Sequence, residues 1–202
     1  MIRKIIYGIY AIIGMMVVTA CSSRSDVYEI SLEKMQGFPT EDAGFLKGVS
    51  ALYAGVIDGN LLIAGGCNFP DTPAADGGKK VFYPDVYITS LSNDTAFEWK
   101  KIGQLPQAAA YGVTISTEKG LICVGGATAT HSLSDVFLLS LQKDVLKKDT
   151  LPSLPATIDN MAGALVGHSL YIVGGNVNGI PSSAMYMLDL LDLSGGWKKR
   201  PK

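Results

Sequence analysis

The sequence predicts an all-β fold built from a repeated unit of about fifty residues. Three diglycines, Gly65-Gly66, Gly125-Gly126 and Gly174-Gly175, each close a short apolar run. With 23 glycines and 9 prolines among 202 residues and only 17% of them charged, the chain is neither a coiled coil nor intrinsically disordered. A formal net charge of -1 offers no attraction for phosphates, so we expect no nucleic-acid partner.

The amino terminus has the features of an export signal. A cationic start at Arg3 and Lys4 precedes an uncharged run over residues 5–18, which is shorter than the roughly 20 apolar residues of a membrane-spanning helix. The following Val18-Thr19-Ala20-Cys21 resembles the lipobox of bacterial lipoproteins, which implies lipidation of Cys21. We expect residues 1–20 to be a lipoprotein signal peptide and residues 21–30 a tether. We therefore expect a periplasmic or surface protein that only its lipid holds to the membrane. An ordinary secretory signal is the alternative.

Each repeat contains four strands in series. The second strands are the apolar runs before the diglycines, at residues 61–64, 121–124 and 170–173. The first strands are at residues 54–57, 113–117 and 164–166. Each is joined to the second strand by a tight turn whose residues tolerate positive φ. The third strands follow a polar loop, at residues 85–88, 135–138 and 184–187. The fourth strands are marked by paired lysines, at residues 99–101, 146–148 and 197–199.

Four antiparallel strands per unit at this period are the arrangement of a β-propeller, and the spacing and the diglycines resemble the kelch repeat. We expect blades at residues 48–106, 107–155 and 156–202. A sandwich of short strands is the alternative fold. Kelch propellers serve as enzymes, adaptors and binding modules, so the architecture does not assign a function.

An additional strand is predicted at residues 31–39, because residues 32–39 align without gaps on residues 99–106. It would be an isolated fourth strand of the kind that completes the last blade of a closed ring. Three blades fall short of the about four to eight that close a propeller. The sequence leaves three explanations open. The chain is a truncated form of a protein with about six blades, or an arc closed by a second chain, or one strand is miscounted. We favour truncation.

The remaining cysteines and histidines do not form a metal site. Cys67 and Cys123 each adjoin or precede a diglycine in different repeats, and we interpret both as small buried side chains. His131 and His168 lack further ligands at metal-binding spacing and are expected to be solvated. No metal or other cofactor is therefore expected.

The ligand site is expected where two sets of loops meet at one end of the blades, which we call the mouth. One set joins the second strand to the third, at residues 67–83, 127–134 and 176–183, and the other connects the blades, at residues 40–48, 107–111 and 156–160. Amides pair with hydroxyls and aromatic rings stack on sugars, so the loop at residues 67–83 suits polar ligands such as a small sugar. Packing of Phe69 and Tyr83 onto the blade is the alternative. The candidate ligand-binding residues are Asn68, Lys79, Lys80, Tyr83, Tyr111, Asp159, Asn160 and Asn176.

Three segments, at residues 48–69, 77–83 and 110–113, look like successive blades of the N-acetylneuraminate epimerase (sialic acid mutarotase) kelch family. Residues 159–163 resemble the opening blade of that family, and this order is similar to its cyclically permuted group. The resemblance implies an isomerase that interconverts the anomers of sialic acid by acid/base ring opening.

The catalytic segment of the family is not found in this sequence. Family members carry Asn-Gly-Glu followed by an arginine in a later blade, whereas the arginines here are Arg3, Arg24 and Arg200. The catalytic residues therefore stay unknown, and we expect a truncated form that lacks the catalytic blade. A non-catalytic, surface-anchored propeller that binds glycans or proteins is the alternative function.

Overall fold

The computed structural model describes residues 42–92 and 97–201. The predicted signal peptide, the tether, Cys21 and the additional strand at residues 31–39 lie outside these residues. Within the described ranges, no helix has both the length and the apolar character needed to cross a membrane.

The described chain is all-β, as predicted, and its main elements are three four-stranded antiparallel sheets. The first part contains β1 (Tyr53–Ile57), β2 (Asn60–Ala64), β3 (Cys67–Asn68), β4 (Val81–Phe82), β5 (Asp85–Ser90) and β6 (Lys100–Gln104). The next contains β7 (Val113–Thr117), β8 (Gly120–Val124), β9 (Val136–Gln142) and β10 (Val145–Thr150). The last contains β11 (Ile158–Asp159), β12 (Ala162–Val166), β13 (Ser169–Val173), β14 (Asn176–Val177), β15 (Ile180–Pro181), β16 (Met185–Asp189) and β17 (Lys198–Arg200).

Each large sheet is an up-and-down meander. The strand orders are β1-β2-β5-β6 in the first blade, β7-β8-β9-β10 in the second and β12-β13-β16-β17 in the third. The prediction of four strands per repeat is therefore confirmed in all three repeats. Short 3-10 helices interrupt the connections at Phe45–Lys47, Ala74–Asp76 and Leu193–Gly195. The short strands β3 and β4 pair within the longest mouth loop, which the sequence did not predict.

Two of the tight turns have consecutive left-handed residues, one predicted between β1 and β2 and one between β9 and β10 that the sequence did not predict. Asp58 and Gly59 both have positive φ, of +48° and +74°, between β1 and β2. Lys143 and Asp144 do the same between β9 and β10, with φ of +51° and +62°. Two consecutive left-handed residues match the right-handed twist of the flanking strands, so these turns set the hairpin registers.

The blades pack face to face in chain order. The first strand of each blade contacts the first strand of the next, β1 against β7 and β7 against β12. One core lies between the first and second blades, around Tyr53, Leu62 and Leu121, and a second core joins the second blade to the third, around Ile122 and Ile172. The middle sheet is thus covered on both faces. Three sheets packed in succession are the blades of a β-propeller and not a two-layer sandwich.

The diglycines connect one blade to the next. The N–H of Gly66 donates to the carbonyl oxygen of Ala109 at 2.8 Å, and that of Gly126 donates to Ile158 at 2.8 Å. Gly126 has φ of +108°, and a Cβ atom there would lie 2.5 Å from Oη of Tyr53. A side chain is excluded at this position by both conformation and space. The repeated diglycine is therefore the sequence mark of the junction between blades.

Candidate functional site

A row of left-handed residues follows the mouth from blade to blade. Ala51, Tyr111 and Asn160 have φ of +56°, +64° and +55° just before the first strand of their blades. The N–H of Tyr111 donates to the Ala51 carbonyl at 2.9 Å, and the N–H of Asn160 donates to the Tyr111 carbonyl at 2.8 Å. We call these three residues the entry ladder. It places equivalent side chains of successive blades next to one another.

The two sets of mouth loops meet along this ladder, as the sequence predicted. The residue before each ladder position pairs with the residue after a diglycine: Ser50 with Cys67, Ala110 with Ala127, and Asp159 with Asn176. The connection between blades and the loop from the second to the third strand are thereby held together. Each pair lies within one blade, and the entry ladder then places the paired loops of successive blades next to one another.

Between the first and second blades, the mouth carries a cation among aromatic rings. Nζ of Lys80 donates a hydrogen bond to Oη of Tyr111 at 2.6 Å and lies 5.3 Å from the centroid of the Phe69 ring. The hydrogen bond to Tyr111 raises the pKa of Lys80, so the ammonium group is charged at neutral pH. The ring of Phe82 lies edge-on to Tyr111, with centroids 6.3 Å apart. We call this group the Lys80 cluster.

Tyr111 is the unusual member of the entry ladder. A left-handed backbone costs a residue with a Cβ about 1 kcal/mol, and bulky aromatic residues rarely adopt it. Asparagine tolerates this conformation better, because its short polar side chain bonds locally. Strain of this kind collects at functional sites. The strained backbone holds Tyr111 where its hydroxyl meets Lys80.

Between the second and third blades, the mouth is organised around Asp159, which is only 6% exposed. Its Oδ1 accepts hydrogen bonds from Nδ2 of Asn160 and Nδ2 of Asn176, both at 2.7 Å. Its Oδ2 accepts a short hydrogen bond from Oγ of Ser132. Burial acts to raise the pKa of Asp159, but the three hydrogen bonds outweigh it and the pKa is lowered. Asp159 is therefore an ionised hub, and we call this group the Asp159 cluster.

The Asp159 cluster orients two amides and leaves part of each one available. Asn160 and Asn176 each donate one N–H to Asp159 and retain a second N–H and a carbonyl oxygen. Asn160 is exposed and Asn176 is half-buried, so these groups can bond a polar ligand. Asp159 itself has a donor on each carboxylate oxygen and is suited to positioning its neighbours.

Three predicted residues lie elsewhere or make other contacts. Tyr83 is only 5% exposed, and its hydroxyl donates to Oδ1 of Asn68 at 2.8 Å. Nδ2 of Asn68 donates to the carbonyl oxygens of Gly44 and Gly48, so its amide braces the mouth loops. Tyr83 thus packs in the core, as the alternative interpretation expected, and its side chain is not exposed at the mouth. Lys79 is exposed and has no hydrogen bond or ion pair within the described part of the chain.

Sequence reasoning did not single out Ser132 or the groove beside Tyr111. The groove has a volume of about 320 Å³ and runs between the first two blades. It is lined by Phe82, Gln107, Ala108, Thr128, Ala129, Thr130 and His131. Ser132 and the threonines fall in a loop that the sequence placed at the mouth. Their individual partners could not be predicted, because each partner belongs to another blade or to the opposite side of a turn.

The cysteines and histidines are placed as predicted. Cys67 and Cys123 are free and buried, and burial raises the pKa of the Cys123 thiol. His131 and His168 are exposed. Over residues 42–92 and 97–201, no three His, Cys, Asp or Glu side chains are grouped as metal ligands would be.

Comparison with known proteins gives one family. The family model described as N-acetylneuraminate epimerase matches residues 15–147. N-acetylneuraminate epimerase 1 of Escherichia coli O6:H1 is 32% identical over 136 residues, which are 62% of this chain and 35% of that protein. N-acetylneuraminate epimerase of Brucella suis is 37% identical over 98 residues, which are 46% of this chain and 25% of that protein.

A solved structure titled "Structure of YjhT" aligns with a TM-score of 0.44 at 26% identity, over 51% of this chain and 31% of that one. The chain spans about a third or less of the length of the curated relatives that it matches.

Proposed function

The chain belongs to the N-acetylneuraminate epimerase family, and we propose that its mouth binds N-acetylneuraminate and takes part in interconverting the sugar's anomers. The entry ladder is the observation that carries this proposal. It sets the Lys80 cluster beside the Asp159 cluster through the hydrogen bond between Asn160 and Tyr111. A cation, aromatic rings and two oriented amides suit a sugar that bears a carboxylate, hydroxyls and an acetamido group.

Anomer exchange requires two proton transfers. The anomeric hydroxyl loses a proton and the ring oxygen gains one as the bond between the anomeric carbon and the ring oxygen breaks, and reclosure gives the other anomer. Tyr111 accepts a hydrogen bond from Lys80, which leaves its own O–H proton available to a ligand oxygen. Asp159 positions Asn160 and Asn176 for the hydroxyls and the acetamido group. The proposal assigns no base, since the carboxylate of Asp159 is already occupied by three donors.

An NMR anomer-exchange experiment on the whole chain tests this function. Although the sequence lacks the Asn-Gly-Glu and arginine segment of the family, we expect freshly dissolved N-acetylneuraminate to equilibrate faster with the protein than in buffer alone. The double variant Asn160→Ala/Asn176→Ala should lower the added rate at least about tenfold, because two polar contacts to the ligand are lost. Glu118→Gln, in the exposed turn between β7 and β8, is the control and should keep the wild-type rate. A wild-type rate equal to that of buffer would contradict the proposal.

Glycan binding without turnover is the second candidate function. It is favoured by the positions of the arginines, since residues 3, 24 and 200 all lie outside the predicted mouth loops. This function predicts saturable binding of N-acetylneuraminate in a calorimetric titration while anomer exchange stays at the buffer rate. The two measurements together separate an isomerase from a binding module.

We further propose that the mature protein is held at the periplasmic or outer surface by lipid on Cys21. The supporting observation is the sequence Val18-Thr19-Ala20-Cys21 after an uncharged run. Cells that express the Cys21→Ser variant should release it from the membrane fraction or retain its signal peptide. Incorporation of labelled palmitate into the variant at the wild-type level would contradict this proposal.

A further inference from the structure

Lys80 is held at the mouth by uncharged groups. Oη of Tyr111 accepts one of its N–H donors, and the rings of Phe69 and Tyr111 lie 5.3 Å and 4.9 Å from Nζ at their centroids. Within the described part of the chain, no carboxylate lies within ion-pair distance of Nζ. Aromatic rings attract a cation without neutralising it, so the charge stays available to a ligand.

Other cations near the mouth differ from Lys80 in how they are held. Lys101 pairs with Asp85 at 2.9 Å, so its charge is already compensated. Nζ of Lys47 donates to the carbonyl oxygen of Pro70 in the long mouth loop. Lys79 is exposed and makes no ion pair or side-chain hydrogen bond with residues 42–92 or 97–201. Lys80 alone among these four lysines contacts a residue of the entry ladder, Tyr111.

We propose that Lys80, oriented by Tyr111 and Phe69, is the carboxylate-binding residue that restricts the site to acidic sugars; this inference rests on the proposed function. One N–H of the ammonium group is used by Tyr111, which leaves two for a carboxylate. A hydrogen bond between a fixed ammonium group and a carboxylate is charge-assisted and stronger than one to a neutral oxygen. The acid group would then be anchored next to Asn160, where the amides can meet the rest of the sugar.

The experiment compares two probes on the whole chain: N-acetylneuraminate and its neutral methyl ester. The wild-type protein should bind the acid at least about tenfold more tightly than the ester. Lys80→Met should abolish this preference, because it should weaken the binding of the acid and leave the binding of the ester unchanged. Lys80→Arg keeps the cation and should retain most of the preference. Tyr111→Phe removes the orienting acceptor and should lower the preference about threefold, because the ammonium group becomes less fixed.

The control variant is Lys119→Met, which removes the same charge from the exposed turn between β7 and β8 and should leave the preference unchanged. Lys80 is exposed, so its substitution should not unfold the protein, and circular dichroism checks this. If the wild-type protein binds neither probe, the proposed function fails, and the inference fails with it. If the wild-type protein binds the acid and Lys80→Met keeps the preference, the inference alone is overturned. Loss of the preference in Lys79→Met, with Lys80→Met unaffected, would overturn it as well.

Discussion

The junction between the first two blades and the junction between the second and third share a backbone but differ in chemistry. Within the second blade Ala110 and Ala127 pair beside the first junction, and within the third blade Asp159 and Asn176 pair beside the second. Both junctions contain a left-handed ladder residue and an N–H donated by a diglycine. The repeat thus fixes a common frame, while residues at equivalent positions determine which ligand groups each junction can meet.

The charges of the two junctions are used differently. The carboxylate of Asp159 is buried and accepts three hydrogen bonds, so its charge orients neighbouring side chains. The ammonium group of Lys80 is exposed and held by a tyrosine and a phenylalanine, so its charge is available to a ligand. In the proposed function, the first junction would supply charge recognition and the second would supply rigid polar positioning.

The largest expected effect tests whether the diglycines of the second and third blades are equally constrained. Gly126→Ala and Gly175→Ala should each lower the free energy of unfolding by about 3 kcal/mol, since each combines a left-handed backbone with steric overlap. At Gly126 the new Cβ would lie 2.5 Å from Oη of Tyr53, and at Gly175 it would overlap the carbonyl oxygen of Asp159. Urea denaturation measures both effects.

Gly167→Ala is the matched control, because Gly167 also has positive φ but a Cβ there would meet no atom within 4 Å. It should cost about 1 kcal/mol from conformation alone. A cost at Gly175 no larger than at Gly167 would show that the diglycine of the third blade is not packed as tightly as that of the second.

The next effect concerns the Asp159 cluster. Asp159→Asn should lower the free energy of unfolding by about 1–3 kcal/mol at pH 7, because an amide group would face three donors and leave buried hydrogen bonds unmade. Equilibrium denaturation measures this difference. Ser194→Ala, at an exposed hydroxyl in the last 3-10 helix, is the control and should change the free energy by less than about 0.5 kcal/mol.

The pH dependence of the stability difference between wild type and Asp159→Asn tests the direction of the pKa shift. The native pKa of Asp159 is lowered, so its ionisation stabilises the fold above the unfolded pKa of about 3.9. This contribution is lost as the pH falls through the native pKa. The difference in unfolding free energy between wild type and Asp159→Asn should therefore shrink below about pH 4. A difference that grows on acidification would contradict an ionised hub.

The fold was largely readable from the sequence because its signals are local. A diglycine after an apolar run, a tight turn before it and a paired-lysine strand after it recur in register, and each marks a strand or a turn by itself. The sequence did not predict the pairing of β3 with β4. Each of these strands has two residues, which is too short for an alternating pattern to be recognised.

The placement of the mouth loops was predictable from the sequence, but the contacts of their side chains were not. Tyr111, Asp159, Asn160 and Asn176 were placed at the mouth by their loops, and the structure brings them together. Tyr83 ends the mouth loop at residues 67–83, yet it packs in the core. An aromatic residue in a loop can face either side, and its spacing in the sequence does not indicate which. The hydrogen bond from Ser132 to Asp159 joins residues 27 positions apart, and no local pattern encodes it.

The smallest expected effect on stability comes from replacing Tyr111, the ladder residue at the first junction, by asparagine, the residue at the equivalent position 160. Tyr111→Asn should relieve part of the left-handed strain and lose the ring contact with Phe82. Each contribution is about 1 kcal/mol, so the unfolding free energy should change by less than about 0.5 kcal/mol. Thermal denaturation measures this change.

The same substitution should nevertheless weaken the binding of N-acetylneuraminate about threefold or more, because Lys80 loses both the hydroxyl and one of its rings. Ala51→Gly is the control, since it relieves strain at the neighbouring ladder position without touching Lys80, and it should leave affinity unchanged. If Tyr111→Asn lost stability and kept its affinity, the tyrosine would serve packing and not recognition. The difference between the two junctions at the ladder position would then concern packing and not ligand binding.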